Sequence, residues 1–169
     1  REGAKVSGRR IDRRKFLPYN EMLLKTQKGD NGMKQFFGMS QRGNLDEALR
    51  GLHAPQFIML FSNDGQFEKH VEELEKRFPG VPSIGCVGMS YQTQVVEKGV
   101  GIIAFSNGVR AAANVLEQVS TMPVKHIQRL EADMKAVGGS GENTVCIDFC
   151  SGNDACVLTT INTSLGKRS

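Results

Sequence analysis

Residues 56–92 constrain the fold more than any other part of the sequence. They combine a continuous apolar run at 57–61, an Asn-Asp-Gly turn, an amphipathic helical pattern that ends at Gly80, and a second apolar run at 81–87. An apolar run without alternation is typical of a strand that is covered on both faces. The stretch therefore predicts a strand-helix-strand unit that opens into a glycine-rich turn at 85–88, where such units often carry function.

The helix of this unit has one clear apolar stripe. Phe67, Val71, Leu74 and Phe78 recur at i, i+4, i+7 and i+11, and charged residues occupy most other positions. This spacing predicts that the four side chains face the core. His70 lies beside Val71 and is predicted to be a surface or edge histidine rather than a ligand.

Two elements are predicted ahead of this unit. Residues 33–39 are a short strand candidate, and apolar residues at helical spacing predict a helix at 45–52. Asn44 is predicted to cap that helix, because its side chain can accept from the first turn and acidic residues follow it.

After the unit, residues 100–105 are predicted to form another buried strand. Asn107-Gly108 follows, which is the strongest hairpin signal in the chain. Residues 109–118 are therefore expected to pair back antiparallel to this strand, although three alanines also permit a helix. Pairing of this kind makes the predicted sheet mixed.

The last third of the chain predicts a helix, a strand and a closing helix. The first helix opens at residues 121–123 with proline in its first turn, the strand covers 144–149, and the closing helix covers 155–165 with Gly166 as its C-cap. The residues expected on the buried side of the first helix are Val124, Ile127, Leu130, Met134 and Val137.

Charge divides the chain into two parts. Residues 1–32 hold nine Lys and Arg against four Asp and Glu, whereas residues 33–169 hold thirteen against fourteen. We interpret 1–32 as a basic extension, a linker or a tag-like segment, with an RNA-binding or membrane-surface arm as the alternative. The chain of 169 residues otherwise predicts one domain at 33–169, without a nucleic-acid face.

Composition argues against a membrane span, a metal site and a disulfide framework. No run approaches the roughly 18 apolar residues that a span requires, and no apolar stretch near the start predicts a signal peptide. A cytoplasmic location is therefore expected. The four cysteines, which lack paired C-x-x-C spacing, are predicted to be reduced thiols: Cys86, Cys146, Cys150 and Cys156.

The sequence lacks the common catalytic motifs. It contains no G-x-S-x-G, no H-E-x-x-H and no phosphate-binding loop with G-K-[ST], and the three histidines have no evident partner in sequence. We therefore expect no enzymatic activity. The histidines are His53, His70 and His126.

Small and polar residues follow several predicted strands. They occur at 62–64, 85–92, 106–107 and 151–153. In a sheet covered by helices, loops beyond the carboxyl ends of strands are frequent ligand sites. Ordinary turns use the same residue types, so both interpretations stay open at this point.

The order of these elements resembles the N-terminal FIST domain, named for F-box and intracellular signal transduction proteins. The resemblance covers 33–169 and is most specific at Arg77-Phe78-Pro79-Gly80, at Ile84-Gly85-Cys86 and at 151–166. After the Gly-Cys pair the family usually continues with small hydroxyl residues, a glycine and an acidic residue. This chain departs from that pattern at 87–92, which has Val, Gly, Met, Ser, Tyr and Gln.

The resemblance implies an α/β fold bordering on α+β, with a mixed, partly antiparallel sheet flanked by helices. It also implies an N-terminal half that a C-terminal FIST domain normally completes, so the chain is expected to be truncated before that partner. The implied function is a non-catalytic sensory domain that binds an amino-acid-like ligand and acts on a downstream signalling domain or protein, with a homodimer left open. The predicted ligand-binding residues are Gly85, Cys86, Gly88, Ser90, Asp148, Ser151 and Asn153.

Three alternatives accompany this hypothesis. Some members of the family resemble haem-dependent nitric-oxide sensors, and an axial ligand would then come from His53, His126, Cys86 or Tyr91. A second alternative is a protein-interaction scaffold, as in F-box relatives. The third is an enzyme with Cys86 as its nucleophile, for which the sequence shows no base.

Overall fold

The computed structural model describes residues 32–62, 65–88, 90–91, 94–95, 98–117, 123–140 and 143–149, together with residues 157, 159, 161 and 163. Within these residues the chain forms six strands and three continuous helices, and residues 157, 159, 161 and 163 are also helical. In chain order they are β1 (Lys34–Ser40), α1 (Leu45–Ala48), β2 (Phe57–Ser62), α2 (Phe67–Arg77), β3 (Ser83–Val87), β4 (Ser90–Tyr91), β5 (Gln94–Val95), β6 (Val100–Ser106) and α3 (Pro123–Val137). No helix in this part of the chain is both long enough and apolar enough to span a bilayer.

The main sheet has four strands in the order β1-β6-β2-β3. β2 and β3 run parallel, as the strand-helix-strand prediction requires, whereas β6 is antiparallel to both β1 and β2. The mixed α/β architecture predicted from the sequence is therefore confirmed. β4 and β5 form a separate two-stranded ribbon beyond β3.

One face of the main sheet is fully buried. Alternate residues of a strand point to the same face, so this face receives Ile58 and Leu60 from β2 and Val100, Ile102 and Ala104 from β6. None of these five side chains is more than 2% exposed. They form one cluster with side chains of α1 and α2, which cover this face.

The opposite face is apolar but less completely covered. Phe57 and Phe105 stack on it with ring centroids 6.2 Å apart. The other residues on this face include Phe37, Met39, Phe61, Cys86 and Ile103, which are all half-buried. The continuous apolar run in β2 therefore follows from two apolar faces, of which only one is closed by helices among the described residues.

The helix α2 is rotated relative to the predicted stripe. Phe67, Leu74 and Phe78 pack towards the first core cluster, but the fourth stripe position is occupied by His70 instead of Val71. His70 is 3% exposed and Val71 is 37% exposed. The prediction of a surface histidine is wrong, because residues 70 and 71 flank the same stripe and hydrogen bonding allows the histidine to be buried.

The helix α1 begins where the sequence predicted and ends earlier. Asn44 caps it, because its Oδ1 accepts a hydrogen bond from the backbone N–H of Glu47 at 3.1 Å. The helix ends at Ala48 rather than at residue 52, and the chain turns through Gly51, which has φ of +87°. A positive φ is accessible to glycine at little cost, so the turn follows from the residue type.

The predicted hairpin after β6 is wrong, although the turn itself forms. Asn107 and Gly108 both have positive φ, as an Asn-Gly turn requires. Residues 109–117 then form neither strand nor helix. β6 is already paired with β1 on one side and β2 on the other, so no edge is left for a returning strand.

α3 forms as predicted and contributes to a second, smaller core cluster. Ile127, Leu130 and Met134 pack around Ile161, which is 1% exposed and belongs to the predicted closing helix. Residues 157, 159, 161 and 163 are helical, and the rest of that predicted helix lies outside the described residues. Val124 was expected to be buried, but it lies at the first turn and is 65% exposed.

The predicted strand at 144–149 does not form. These residues belong to neither described sheet and are exposed, and Val145 is 83% exposed. The segment lacks a neighbouring strand to satisfy its backbone groups, because none of the described strands pairs with it. Its β-prone sequence was therefore insufficient to make a strand.

Candidate ligand-binding edge

The carboxyl ends of the parallel strands β2 and β3 lie side by side. Ser62 is the register partner of Val87, and the next residue, Gly88, donates its backbone N–H to the carbonyl of Ser62 at 2.9 Å. Gly85, Cys86 and Gly88 are therefore at the end of the sheet where ligands of parallel sheets often bind. We call this end of the sheet the candidate edge.

Asp148 is brought towards the same end by its neighbour Phe149. The ring of Phe149 contacts the ring of Phe61 edge to face, with centroids 5.6 Å apart and an interplanar angle of 81°. Phe61 is the register partner of Cys86, and both side chains belong to the half-open face of the sheet. Three of the seven predicted ligand-binding residues thus lie at the candidate edge, and a fourth, Asp148, adjoins Phe149 in sequence.

The two glycines at this edge have different physical roles. A Cβ added to Gly85 would lie 2.6 Å from the carbonyl oxygen of Leu60, so this glycine is needed for close strand packing. Gly88 has φ of +141°, and a Cβ there would meet nothing within 4 Å. Only Gly88 therefore leaves open space beside the backbone.

The Cys146 thiol lies next to Asp148. Its Sγ donates to Asp148 Oδ1 at 3.6 Å. Partial burial, followed by the charge of Asp148 and its hydrogen bond to the thiol, together raise the pKa of Cys146 to about 11. Because the thiolate is the reactive form, Cys146 is a poor nucleophile at neutral pH.

The remaining predicted residues are less informative. Ser90 lies in β4, where its backbone pairs with Val95 of β5, and its side chain is outside the described residues. Ser151 and Asn153 also lie outside the described residues. The structure therefore places Gly85, Cys86 and Gly88 at one edge and Asp148 next to Phe149, which contacts Phe61. It describes no contact for the other three side chains.

Sequence reasoning missed a buried polar network at this end of the sheet. Ser62 Oγ lies 3.1 Å from His70 Nδ1, and His70 Nε2 lies 3.1 Å from the carbonyl oxygen of Gly43. Ser62 and His70 are 1% and 3% exposed. A serine at the end of a strand is also typical of a turn, so the only available signal was the histidine beside the apolar stripe of α2.

A second serine at this end organises the turn before α1. Ser40 Oγ donates to Glu47 Oε2 at 2.7 Å and accepts from the backbone N–H groups of Arg42 and Asn44 at 3.2 and 3.1 Å. Ser40 and Ser62 are both register partners of Val100. The ends of β1 and β2 thus carry matched buried serines on either side of β6.

A cleft of about 410 Å³ lies at the opposite end of the strand-helix-strand unit. It is open to solvent and lies between the second half of α2 and the residues that lead into β3, including Phe78, Val81 and Ser83. None of the predicted ligand-binding residues lines it. Its lining includes two polar side chains, Glu75 and Ser83. A typical small-molecule site has more polar groups that converge on the ligand.

The four candidate axial ligands for haem differ in burial and in hydrogen bonding. His126 has a nitrogen that suits an axial ligand, because its buried Nδ1 has no hydrogen-bond partner. The residue is 5% exposed, and its Nε2–H donates to the carbonyl of Glu117 at 2.8 Å, which orients the ring. His53 is exposed, Cys86 is half-buried, and the Tyr91 side chain is outside the described residues.

The surroundings of His126 do not fit a haem. Its neighbours on α3 pack tightly around Ile161, and the 410 Å³ cleft contains no histidine. Among the residues described, no group of three His, Cys, Asp or Glu side chains is placed to hold a metal ion. The donor is present, but the slot that a haem requires is not formed by these residues.

Comparison with known proteins gives one match. The model of the FIST N domain family matches residues 56–169, which is more than half of the chain. This range includes the strand-helix-strand unit, the candidate edge, α3 and the predicted closing helix. No curated protein and no solved structure matches the chain.

Proposed function

This chain belongs to the FIST N domain family, and we propose that it is a non-catalytic sensory domain that binds a small amino-acid-like molecule at the candidate edge. The family is associated with signal transduction. The observation that carries the proposal is the position of Cys86 and Gly88 at the carboxyl end of two parallel strands, together with the contact of Phe149, the neighbour of Asp148, with Phe61. The downstream partner would be a signalling domain or protein.

The chemistry of the edge suits a zwitterionic ligand with an apolar part. The Asp148 carboxylate offers a charge-assisted hydrogen bond to an ammonium group. The rings of Phe61 and the adjacent residue Phe149 provide an apolar surface for the rest of the ligand. Gly88 leaves space against the backbone, so a ligand can approach closely without a side chain in the way.

A role without catalysis is supported by the state of the reactive groups. The raised pKa of Cys146 keeps this thiol protonated at neutral pH. Ser62 does contact a histidine, but it is 1% exposed and therefore inaccessible to substrate. A nucleophile needs both an adjacent base and access to the reacting atom, and this serine lacks the second.

Thermal unfolding of the full chain with a panel of amino acids tests the proposal. A bound ligand raises the midpoint, because a ligand at about 100 times its Kd stabilises the folded state by about 2.7 kcal/mol. D148N should abolish the shift for ligands that carry an ammonium group. E72Q is the matched control, because Glu72 is an exposed acid on α2 that pairs only weakly with Lys76 at 4.0 Å.

Three results would contradict the proposal. The first is that no amino acid shifts the midpoint of a folded chain. The second is that a shift occurs and survives D148N unchanged, which would place the ligand elsewhere. Loss of the shift in both D148N and E72Q would indicate a general charge effect instead of a site.

A second candidate function is a protein-interaction module. The observation that favours it is the exposed apolar series Val145, Ile147 and Phe149, which are 83%, 42% and 41% exposed. Exposed apolar residues that alternate with polar ones can form a continuous apolar side, and such patches are frequent in protein contacts. Sedimentation of the full chain tests self-association, and V145K together with I147K should return a dimer to the monomer. A concentration-independent monomer that captures no signalling domain would exclude this candidate.

A further inference from the structure

His70 is a buried polar side chain at a position where the helical stripe calls for an apolar one. It lies on α2 between Phe67 and Leu74 and is 3% exposed. Burial of an imidazole costs free energy unless both ring nitrogens find partners. An aliphatic residue would fill the position without that cost, so the histidine needs a reason other than packing.

Both ring nitrogens of His70 have partners, and the partners determine its tautomer. The carbonyl of Gly43 can only accept, so Nε2 must carry a proton and donate to it at 3.1 Å. In the neutral ring Nδ1 is then the acceptor, and Ser62 Oγ–H donates to it at 3.1 Å. His70 therefore joins the turn before α1 to the end of β2.

Ser62 extends this connection to the candidate edge. Its side chain donates to His70, while its backbone carbonyl accepts from the N–H of Gly88 at 2.9 Å. Any displacement of Ser62 thus moves the acceptor that holds Gly88. The chain of contacts runs from Gly43 through His70 and Ser62 to the glycine at the open turn.

The far end of the connection is fixed by backbone packing. Gly43 has φ of +71°, and a Cβ at this position would lie 2.5 Å from the carbonyl oxygen of Lys98. The Gly43 carbonyl is consequently held by a turn that is packed against the residues leading into β6. His70 is hydrogen-bonded to a rigid acceptor on one side and to a strand end on the other.

We propose that His70 is a positioning residue for the candidate edge, which through Ser62 holds the turn at Gly88 in place. His70 is buried beneath the edge and does not touch the ligand. The importance of this turn for ligand binding rests on the proposed function above, but the positioning itself does not. It can therefore be measured on the free protein.

Amide hydrogen exchange and imidazole NMR of the full chain test the proposal without any ligand. In the wild type, the 15N spectrum of His70 should show a protonated Nε2 and an unprotonated Nδ1. S62A and H70F should each increase exchange at Gly88 by about tenfold or more relative to the amides of Leu60 and Ile102. S106A, which alters a serine at the opposite end of a strand, is the matched control and should leave Gly88 unchanged.

A third variant separates the two hydrogen bonds and guards against loss of folding. H70N places an amide oxygen near the position of Nδ1, so it should retain more protection at Gly88 than H70F. Unchanged exchange at Gly88 in folded S62A would overturn the proposal. A uniform increase at Gly88, Leu60 and Ile102 would also overturn it, since it would show that His70 only contributes to global stability. A protonated Nδ1 with an unprotonated Nε2 in the wild type would contradict the assigned tautomer.

Discussion

Residues 57–61 and residues 145–149 are both short apolar segments that end in phenylalanine, yet they have opposite fates. In the first, Ile58, Met59 and Leu60 are all buried, and the segment is a strand with a neighbour on each side. In the second, every residue is exposed and none is paired with a described strand. The rings of Phe61 and Phe149 connect the two segments directly.

The difference shows that partners, more than β-propensity, decide whether such a run becomes a strand. β2 gains hydrogen bonds from β6 and β3, and helices cover one of its faces. The later segment also alternates, since Cys146 and Asp148 separate its apolar residues. Alternation of this kind is typical of a segment with one apolar side. The sequence of residues 145–149 therefore does not predict burial on both faces, as the continuous apolar run of β2 does.

The largest expected effect is on the closed face of the sheet. G38A would place a Cβ 1.8 Å from the carbonyl oxygen of Ala48, a backbone atom that cannot move without displacing α1. We expect a loss of more than about 3 kcal/mol of unfolding free energy, or no folded protein at all. Urea denaturation measures it, with G65A as the control because a Cβ at Gly65 meets nothing within 4 Å. Equal stability of the two variants would contradict the helix packing described for β1.

The direct test of the comparison removes one apolar side chain from each segment. L60A leaves a cavity beside fully buried neighbours and should cost about 2–5 kcal/mol. I147A removes a side chain that is 42% exposed and should cost less than about 1 kcal/mol. Urea denaturation of both variants measures the two losses of unfolding free energy. Similar losses would mean that residues 145–149 are buried in solution, and the contrast between the segments would disappear.

A smaller loss of unfolding free energy is expected at the N-cap of α1, which helps to cover the buried face of the sheet. N44A removes the oxygen that accepts from the N–H of Glu47, so α1 should lose about 1 kcal/mol. N44D retains an acceptor and is the matched control. The four-residue helix packs Leu45 and Ala48 into the core, which makes the loss visible in global unfolding. No difference between N44A and N44D would show that packing alone holds α1.

Local sequence patterns predicted the elements that depend on residues close to them in the chain. The strand-helix-strand unit, the cap at Asn44 and the position of α3 follow from apolar spacing and end signals. The fate of residues 109–117 could not be predicted in this way, because it depends on β1 already occupying the edge of β6. A contact between residues far apart in the chain leaves no periodic signal in either segment.

The candidate edge shows the same limit. The glycine-rich turn and the position of Gly88 were accessible from sequence, because strand ends in such units meet at one edge. The burial of His70 was not, since its partners lie 27 residues earlier, at Gly43, and 8 residues earlier, at Ser62. Phe149 reaches Phe61 across a much longer separation in sequence, so the position of this contact also required the fold.

The smallest expected effect concerns chemistry at the exposed segment rather than stability. Because its pKa is raised to about 11, Cys146 should react with iodoacetamide at a rate that climbs with pH up to about that value. D148N removes the second cause of the shift, so the midpoint should fall towards the ordinary value of 9.0 while partial burial holds it above. Mass spectrometry of the Cys146 peptide follows the reaction separately from the other thiols, and E72Q should leave the profile unchanged.

The same shift has a defined sign for folding. The folded state holds the Cys146 proton more tightly than the unfolded chain, so its contribution to stability is present below about pH 9 and is lost as pH rises through about 11. D148N should lower the pKa of Cys146 in the folded state, so this contribution to stability should be lost at a lower pH. A wild-type alkylation midpoint already at 9.0 would show that Asp148 does not face the thiol in solution. The hydrogen bond from Cys146 Sγ to Asp148 Oδ1 would then be absent in solution, and with it a polar contact that orders residues 145–149.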